Sequence, residues 1–259
     1  MDSERFKTVD LRQYLKSVVD ETNATASQYS VNFSPNTPMH AAPFFGRADV
    51  ALYATVGLNP SPKEFQNGRW PTTAVPVPVH LNRLLEYFVN PTVPYYKSWF
   101  GVWERALECI GRSYFSDAAH FDLSARATVP VSNCPDPQVF VQMVTADIRW
   151  FFALLARRTG IQGLFVAGSS WRITKSGVPR SAYLDEIIRR ACRGFGFELA
   201  KVRDLRRKSG AKMTLYRLSR PGGDSIPVFF SGASPSSKSP KDLVEAVRIH
   251  ASLLKDYGL

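Results

Sequence analysis

The sequence predicts an α/β protein in which helices cover both faces of a central, mainly parallel sheet of about four strands, a three-layer α/β/α arrangement. Apolar runs that end in glycine, at 48–57 and 163–168, are typical of buried parallel strands. Amphipathic segments between the predicted strands are long enough for the crossover helices that parallel strands require. We therefore expect an N-terminal helical extension and connection over 1–45 and one α/β domain over 46–259.

The first half of the chain supplies two of the expected strands. The first is stopped by Gly57, and the second is shorter. A Pro- and Asn-rich stretch before them predicts a long surface connection. The expected elements, in order, are a helix at 7–29, the connection at 30–45, a strand at 48–57, helices at 80–89 and 95–115, and a strand at 118–124.

The second half alternates helices and strands and then adds a hairpin. Pro137 marks the start of a long helix, because proline suits the first helical turn. A basic stretch at 204–211 is typical of a hairpin tip at the edge of the sheet. The expected elements are a helix at 137–159, a strand at 163–168, a helix at 180–194, strands at 196–202 and 212–218, a strand at 226–230, and a helix at 240–256.

Composition excludes several classes of protein. Of the 259 residues, 44% are hydrophobic, so the chain has enough apolar surface for a core. Three cysteines without a CxxC pair exclude a disulfide framework and predict neither a zinc site nor an iron–sulfur cluster. The longest apolar run, Trp150–Ala156, is far shorter than the roughly 20 residues of a membrane helix. We expect a cytoplasmic monomer without metal, cofactor or membrane partner.

Charge is concentrated in one quarter of the chain. The net charge is +11, from 33 Lys and Arg against 22 Asp and Glu. Residues 157–220 hold 16 basic and 4 acidic side chains, a net of +12, and the remaining residues together carry −1. Such a block favours a polyanionic partner. We expect DNA, single- or double-stranded, or a nucleobase as the ligand.

Polar loops follow four of the predicted strands, where open α/β sheets bind their ligands. The sequence contains no GxGxxG after a strand, no GxxxxGK[ST], no HExxH and no GxSxG. Dinucleotide-binding domains, P-loop ATPases, zincins and standard α/β-hydrolases therefore lose their main support. The loops in question are 57–62, 122–128, 168–175 and 231–240.

Two of these loops carry short motifs at corresponding strand ends. The first reads Gly57-Leu58-Asn59-Pro60, and the second reads Ser234-Pro235-Ser236-Ser237. With the strand that ends in Ala167-Gly168, this order resembles the uracil-DNA glycosylase superfamily. It is most similar to the mismatch-specific (thymine/uracil) branch, whose motifs are similar to GINPG and MPSSS. The resemblance runs from Ala48 to the C-terminus.

The resemblance implies DNA repair by base excision, in which the enzyme flips uracil or another altered base out of DNA and hydrolyses its N-glycosidic bond. Asn59 would position the attacking water, because an amide orients water but is not a strong base. Ser234 stands where more active branches place a histidine for the departing base. The base-binding candidates are Leu58, Pro60, Asp122, Ser124, and Trp70 or, in competition with it, Phe65.

Three groups of polar and basic residues are candidates for phosphate contacts. Ser236, Ser237 and Lys238 precede the last helix, whose N-terminal amides would add to the site. The other two groups are Ser169, Arg172 and Lys175, and the hairpin residues Arg206, Arg207 and Lys208.

The sequence also leaves a second function open. Many members of the superfamily read the pyrimidine edge with an asparagine, whereas this chain offers Asp122 and Ser124. An ionised Asp122 only accepts hydrogen bonds, so it suits a donor-rich base edge. The alternative is therefore a catalytically weak or inactive relative that binds nucleic acid or a nucleobase. His120, inside a predicted strand, is interpreted as a core histidine with satisfied hydrogen bonds.

Overall fold

A computed structural model describes residues 10–33, 40–60, 65, 70, 75–89, 100–129, 134–157, 160–167, 184–206, 212–231 and 243–258. Its centre is a single sheet of seven strands. The strands are β1 (Phe44–Gly46), β2 (Tyr53–Gly57), β3 (Ala118–Asp122), β4 (Gly163–Ala167), β5 (Glu198–Arg206), β6 (Lys212–Ser219) and β7 (Ser225–Ser231).

The strand order is β1-β3-β2-β4-β7-β6-β5. The three pairings that join β3, β2, β4 and β7 are parallel. At one edge β1 runs antiparallel to β3, and at the other edge β6 and β5 are added antiparallel to β7. The predicted α/β class is confirmed, and the edge hairpin is present as β5 and β6. The sheet has more strands than the predicted central four, because the predicted hairpin extends one edge and β1, which was not predicted, extends the other.

Helices connect these strands and flank the sheet. The first begins at a capped end, where the Asp10 carboxylate accepts hydrogen bonds from the backbone of Arg12 and Gln13. The helices are α1 (Leu11–Ala24), α2 (Ala26–Tyr29), α3 (Val77–Leu85), α4 (Phe100–Glu108), α5 (Tyr114–Asp117), α6 (Pro137–Arg157), α7 (Leu184–Gly194) and α8 (Leu243–Asp256), with a 3-10 turn at Ser30–Asn32.

The segment before β2 differs from the prediction. The predicted surface connection at 30–45 contains most of β1, whose Phe44 and Phe45 are buried. Its backbone is satisfied by pairing with β3, which sequence spacing alone does not reveal. The strand predicted at 48–57 begins only at Tyr53, because a turn held by Arg47 and Asp49 precedes it. The expected boundary after residue 45 falls within β1.

Two hydrophobic clusters lie on opposite faces of the sheet, because successive strand residues alternate between faces. Leu164 and Val166 of β4 belong to the cluster that includes α1, α6 and α7 residues. Phe165, between them, belongs to the cluster that includes α4 and α8 residues. The N-terminal helix α1 shares its core with the sheet, since Leu15 and Val18 are fully buried in the first cluster.

Helix α6 is long and apolar enough to cross a membrane by length and composition alone. Half of its most apolar window is buried inside the protein. Phe140, Val144 and Phe152 are among the α6 residues in the first hydrophobic cluster. The membrane test is therefore met by a helix that packs into the core of this fold.

Candidate functional site

The order in which parallel strands are added to the sheet changes direction at β2. From β2 the chain goes to β3 on one side and then to β4 on the other. The loops that leave the carboxyl ends of such strands diverge and open a crevice, which is where α/β sheets bind ligands. The loop Gly57–Pro60 leaves β2 at this point. Ser231, at the end of β7, pairs with Ala167 at the end of β4 on the same edge.

The loops that follow β2 and β3 are joined by main-chain hydrogen bonds. Leu123 N donates to Gly57 O at 3.1 Å, and Ser124 N donates to Leu58 O at 2.9 Å. A Cβ atom at Gly57 would lie 2.5 Å from Asp122 Oδ1, closer than real contacts allow. Glycine is therefore required at the end of β2 for the two strands to approach each other with Asp122 between them.

The Asn59 side chain is anchored by its amide nitrogen. Nδ2 donates to the carbonyl oxygens of Pro60 at 3.1 Å and Arg126 at 3.2 Å, and to Thr128 Oγ1 at 3.0 Å. Two carbonyl oxygens accept but never donate, so they fix which end of the amide is nitrogen. Among the described residues, none donates to Asn59 Oδ1. This oxygen is an oriented acceptor. It can accept a hydrogen bond from a water molecule but cannot take up its proton.

A chain of buried polar side chains, the histidine network, runs along one face of β2 and β3. Tyr114 Oη lies 2.6 Å from Thr55 Oγ1, which lies 3.0 Å from His120 Nδ1. His120 Nε2 lies 3.2 Å from Asp122 Oδ1. With neutral His120, each group donates to the next, from Tyr114 to Asp122. Burial raises the pKa of Tyr114 and keeps it a donor.

The order of groups Thr55, His120 and Asp122 matches the residue types of a nucleophilic triad, but its setting does not match that function. Thr55 is 1% exposed, and its hydroxyl is already bonded to Tyr114 on the side away from His120. The interpretation of His120 as a core histidine is therefore confirmed: it is buried, and both ring nitrogens have partners.

A second buried group, the Arg126 network, lies on the opposite side of the sheet, toward α6. Ser124 Oγ donates to Asp147 Oδ2 at 2.6 Å, and Arg126 Nε donates to the same oxygen at 3.1 Å. Arg126 also donates from Nη1 to Thr22 O at 2.8 Å and from Nη2 to Thr25 Oγ1 at 2.6 Å. Burial raises the pKa of Asp147, an effect that Arg126 and Ser124 partly offset.

The predicted stacking residues belong to an aromatic cluster formed by His40, Phe65, Trp70 and His80. Trp70 lies 5.5 Å from Phe65 and 5.2 Å from His80, measured between ring centroids. All four rings are buried. No hydrogen bond or ring contact between described residues joins this cluster to Asn59, so the structure does not bring the two parts of the predicted site into direct contact.

Two polar atoms in the aromatic cluster have no hydrogen-bond partner among the described residues, Trp70 Nε1 and His80 Nδ1. His80 Nε2 donates to Ala41 O at 2.7 Å, which leaves Nδ1 as the acceptor nitrogen of a neutral ring. Burial lowers the pKa of His80 and favours this neutral form. The cluster therefore holds one donor and one acceptor inside an aromatic environment, and buried groups of this kind normally bind water or a ligand.

The remaining predicted residues lie partly inside and partly outside the described part of the chain. Leu58 packs against the first hydrophobic cluster, Pro60 is buried, and Ser124 is fully buried and bonded to Asp147. Arg206 ends β5, and its side chain is not described. Residues outside the described part of the chain are Ser169, Arg172, Lys175, Arg207, Lys208, Ser234, Ser236, Ser237 and Lys238.

Sequence reasoning missed Arg126, Thr128 and Asp147. Arg126 and Thr128 lie in a loop without any motif. Asp147, in contrast, occupies a helix position between Val144 and Ile148 that faces the core. An acid at such a position predicts a buried basic partner, although not which one.

Comparison of the chain with protein-family models, curated proteins and solved structures finds no significant match. Among the described residues, no group of three or more His, Cys, Asp or Glu side chains is arranged to hold a metal ion. The chemistry of the site must therefore be inferred from its own geometry.

Proposed function

We propose that this protein is a DNA glycosylase of the uracil-DNA glycosylase type, which hydrolyses the N-glycosidic bond of uracil or another altered base with a water held by Asn59. The proposal includes a central parallel sheet, β3-β2-β4-β7, covered by helices on both faces, as that resemblance implies. DNA is the proposed macromolecular partner, in keeping with the +12 charge of residues 157–220.

The orientation of Asn59 carries the proposal. Its amide nitrogen is fixed by two carbonyl oxygens and a hydroxyl, so its oxygen is presented as an acceptor. Glycosidic hydrolysis needs a water aligned on the sugar carbon, and a preorganised acceptor restricts that water to one position. Because the amide does not accept a proton at neutral pH, the reaction depends on the departure of the nucleobase, which suits a slow enzyme.

The aromatic cluster is the proposed base-contacting part of the site, although its four rings are buried and packed against one another in this structure. Flipped bases are held between aromatic side chains and read by hydrogen bonds to their edges. Trp70 Nε1 and His80 Nδ1 are a donor and an acceptor without a described partner. A base that carries a carbonyl beside a ring N–H, as uracil does, offers the complementary acceptor and donor.

One observation favours the alternative, a relative that binds a nucleobase or nucleic acid but has little or no catalytic activity. Asp122 and Ser124, the candidates for reading the base edge, are both buried. Asp122 Oδ1 is bonded to His120, and the Ser124 hydroxyl is bonded to Asp147. Residues held inside the protein's own networks are poorly placed to read a base, so base discrimination would depend on other groups.

Release of free base from oligonucleotides tests the proposal. The panel contains uracil, mismatched thymine and deaminated purines in single- and double-stranded DNA. Asn59→Ala should lower the rate by about 10²- to 10³-fold, as expected when one preorganised polar group is lost. Asn23→Ala, an exposed asparagine on α1, is the matched control and should retain the full rate.

DNA binding separates the two candidate functions. Wild-type protein that binds DNA at low salt but releases no base from any oligonucleotide would refute the enzyme and support the binding protein. If wild type releases base, Asn59→Ala should bind the same DNA with unchanged affinity, because phosphate contacts supply most of the affinity. Equal rates for Asn59→Ala and wild type would refute the role of Asn59.

A further inference from the structure

We propose that Arg126 is a positioning residue that makes the orientation of Asn59 depend on the attachment of the N-terminal helices α1 and α2. This inference rests on the proposed function for the consequence to catalysis. The coupling itself is a property of the hydrogen bonds and is open to a separate measurement. Arg126 contacts no substrate in this proposal and acts only through Asn59.

The guanidinium group of Arg126 has four contacts, three hydrogen bonds and one aromatic ring. Thr22 O, in the last turn of α1, accepts from Nη1, and Thr25 Oγ1, at the α1–α2 junction, accepts from Nη2. Asp147 of α6 accepts from Nε. The ring of Tyr29, at the end of α2, lies under the guanidinium with 5.0 Å between Cζ and the ring centroid. The two N-terminal helices therefore supply three of these four contacts.

Helix chemistry explains why the cation is stable there. The last carbonyl groups of an α-helix have no partner within the helix and carry its negative partial charge. Thr22 O is one of these, and its helix ends at Ala24. Arg126 satisfies this carbonyl while the Asp147 carboxylate balances its charge. A planar guanidinium with several fixed donors serves all these acceptors at once, which an ammonium group does not.

The main chain of the same residue holds the candidate catalytic side chain. Arg126 O accepts from Asn59 Nδ2 at 3.2 Å, and Thr128, two residues later, accepts from the same nitrogen at 3.0 Å. Arg126 N in turn donates to Ser124 Oγ at 3.3 Å, so the backbone on both sides of the guanidinium is fixed. A shift of Arg126 toward or away from α1 moves the acceptor that orients Asn59.

The N-terminal helices thereby become a control element for the site. When they hold Arg126, Asn59 Oδ1 is aligned; when they release it, the Asn59 amide loses one of its anchoring carbonyl groups. A ligand or partner that displaces α1 and α2 would lower catalysis without touching the base-binding residues or the DNA contacts. Such a displacement would lower kcat and leave the KM for DNA unchanged.

The test removes one contact at the helix side and observes Asn59. Thr25→Val deletes the hydroxyl that accepts from Arg126 and nearly preserves the side-chain volume, whereas Thr25→Ser keeps the hydroxyl and is the matched control. The Asn59 side-chain NH2 pair is identified in a ¹⁵N–¹H NMR spectrum as the pair absent from Asn59→Ala. We expect Thr25→Val to shift this pair and accelerate its hydrogen exchange, and Thr25→Ser to leave it in place.

Kinetics then connects the coupling to the reaction. Thr25→Val should lower kcat roughly ten- to hundredfold, the cost of a small misplacement of a catalytic group, with an unchanged KM. Ile188→Val on α7 lowers stability through packing alone and should change neither kcat nor the Asn59 amide pair. An Asn59 pair that stays unmoved in Thr25→Val would overturn the coupling. If Thr25→Val shifts the pair but the wild-type protein releases no base, the coupling stands and only the proposed reaction is refuted.

Discussion

Two buried polar networks border the loop that carries Asn59, one on each side of the sheet, and they are built differently. The histidine network joins Tyr114, Thr55, His120 and Asp122 on the side of α4 and α5. The Arg126 network uses a cation and a carboxylate on the side of α6. The first is a series of side chains bridged by His120, whereas the second is centred on the ion pair between Arg126 and Asp147.

The two networks also differ in how their members are brought together. Thr55 and His120 are direct neighbours across the parallel pairing of β2 and β3, so strand register alone places them. Arg126 reaches Thr22 and Thr25 over more than 100 residues of sequence, with loop and helix ends as the contacting parts. The histidine network is thus part of the sheet, and the Arg126 network fastens separate elements onto it.

The largest effect on stability is expected when the buried ion pair of the Arg126 network is broken. Asp147→Ala leaves Arg126 buried without its carboxylate, which typically costs about 3–5 kcal/mol of unfolding free energy. Asp147→Asn is the matched control, because it removes the charge but keeps an acceptor for Arg126 and Ser124. Urea unfolding at pH 7 measures both. A loss below about 1 kcal/mol for Asp147→Ala would show that water reaches Arg126 and that the pair is not a buried one.

A smaller effect is expected in the histidine network. Thr55→Val keeps the shape of the side chain but removes the hydroxyl that lies within hydrogen-bond distance of Tyr114 Oη and His120 Nδ1. Removing one partner of a buried hydrogen bond costs about 1–3 kcal/mol in unfolding free energy. Thr55→Ser, which keeps the hydroxyl, should lose less than Thr55→Val in the same chemical unfolding experiment. Equal losses for the two variants would contradict the hydrogen-bonded role of Thr55.

The smallest effect concerns the pH dependence of stability in the aromatic cluster, where His80 is buried and has no ion-pair partner among the described residues. Because burial lowers the pKa of His80 below its unfolded value of about 6.5, the unfolded chain binds the proton more readily. His80 therefore contributes stability above about pH 6.5 that is lost as pH falls toward its folded pKa, by at most about 1.4 kcal/mol per pH unit.

His80→Gln isolates this contribution, because glutamine can still donate to Ala41 O but does not titrate. Unfolding free energies measured from pH 8 to pH 5 should fall less steeply for His80→Gln than for wild type. His40→Gln, in the same cluster, is the comparison variant. Parallel curves for wild type and His80→Gln would contradict a lowered pKa of His80 in the folded protein.

The sequence predicted most of what depends on local pattern. Strands β2, β3, β4 and β7 coincide with apolar runs, and the β5–β6 hairpin follows two short runs around a basic tip. Strand β1 was missed because three residues in a Pro- and Asn-rich stretch carry no periodic signal. Their strand conformation comes from pairing with β3, a tertiary effect.

The site was predictable only where a motif marks it. Gly57 and Asn59 became candidates because a glycine that ends a strand and the polar residue two positions later form a recognisable pattern. Arg126 and Thr128 were not found, because their function arises from contacts to Asn59 across 67 and 69 residues. The predicted strand at 118–124 included both Asp122 and Ser124, whereas β3 ends at Asp122, and the burial of both side chains depends on partners that sequence order does not reveal.

The strand order also has a consequence for how the protein is made. Strand β2 is complete at residue 57, but its two neighbours end only at residues 122 and 167. At about 5–20 residues per second, synthesis needs roughly 5–20 s to supply the second neighbour. During that interval the apolar strand Tyr53–Gly57 cannot be covered on both edges, and pairings between such distant segments also form slowly. Strand β2 thus cannot be paired on both edges before β4 emerges from the ribosome, and the nascent chain must be kept from aggregating until then.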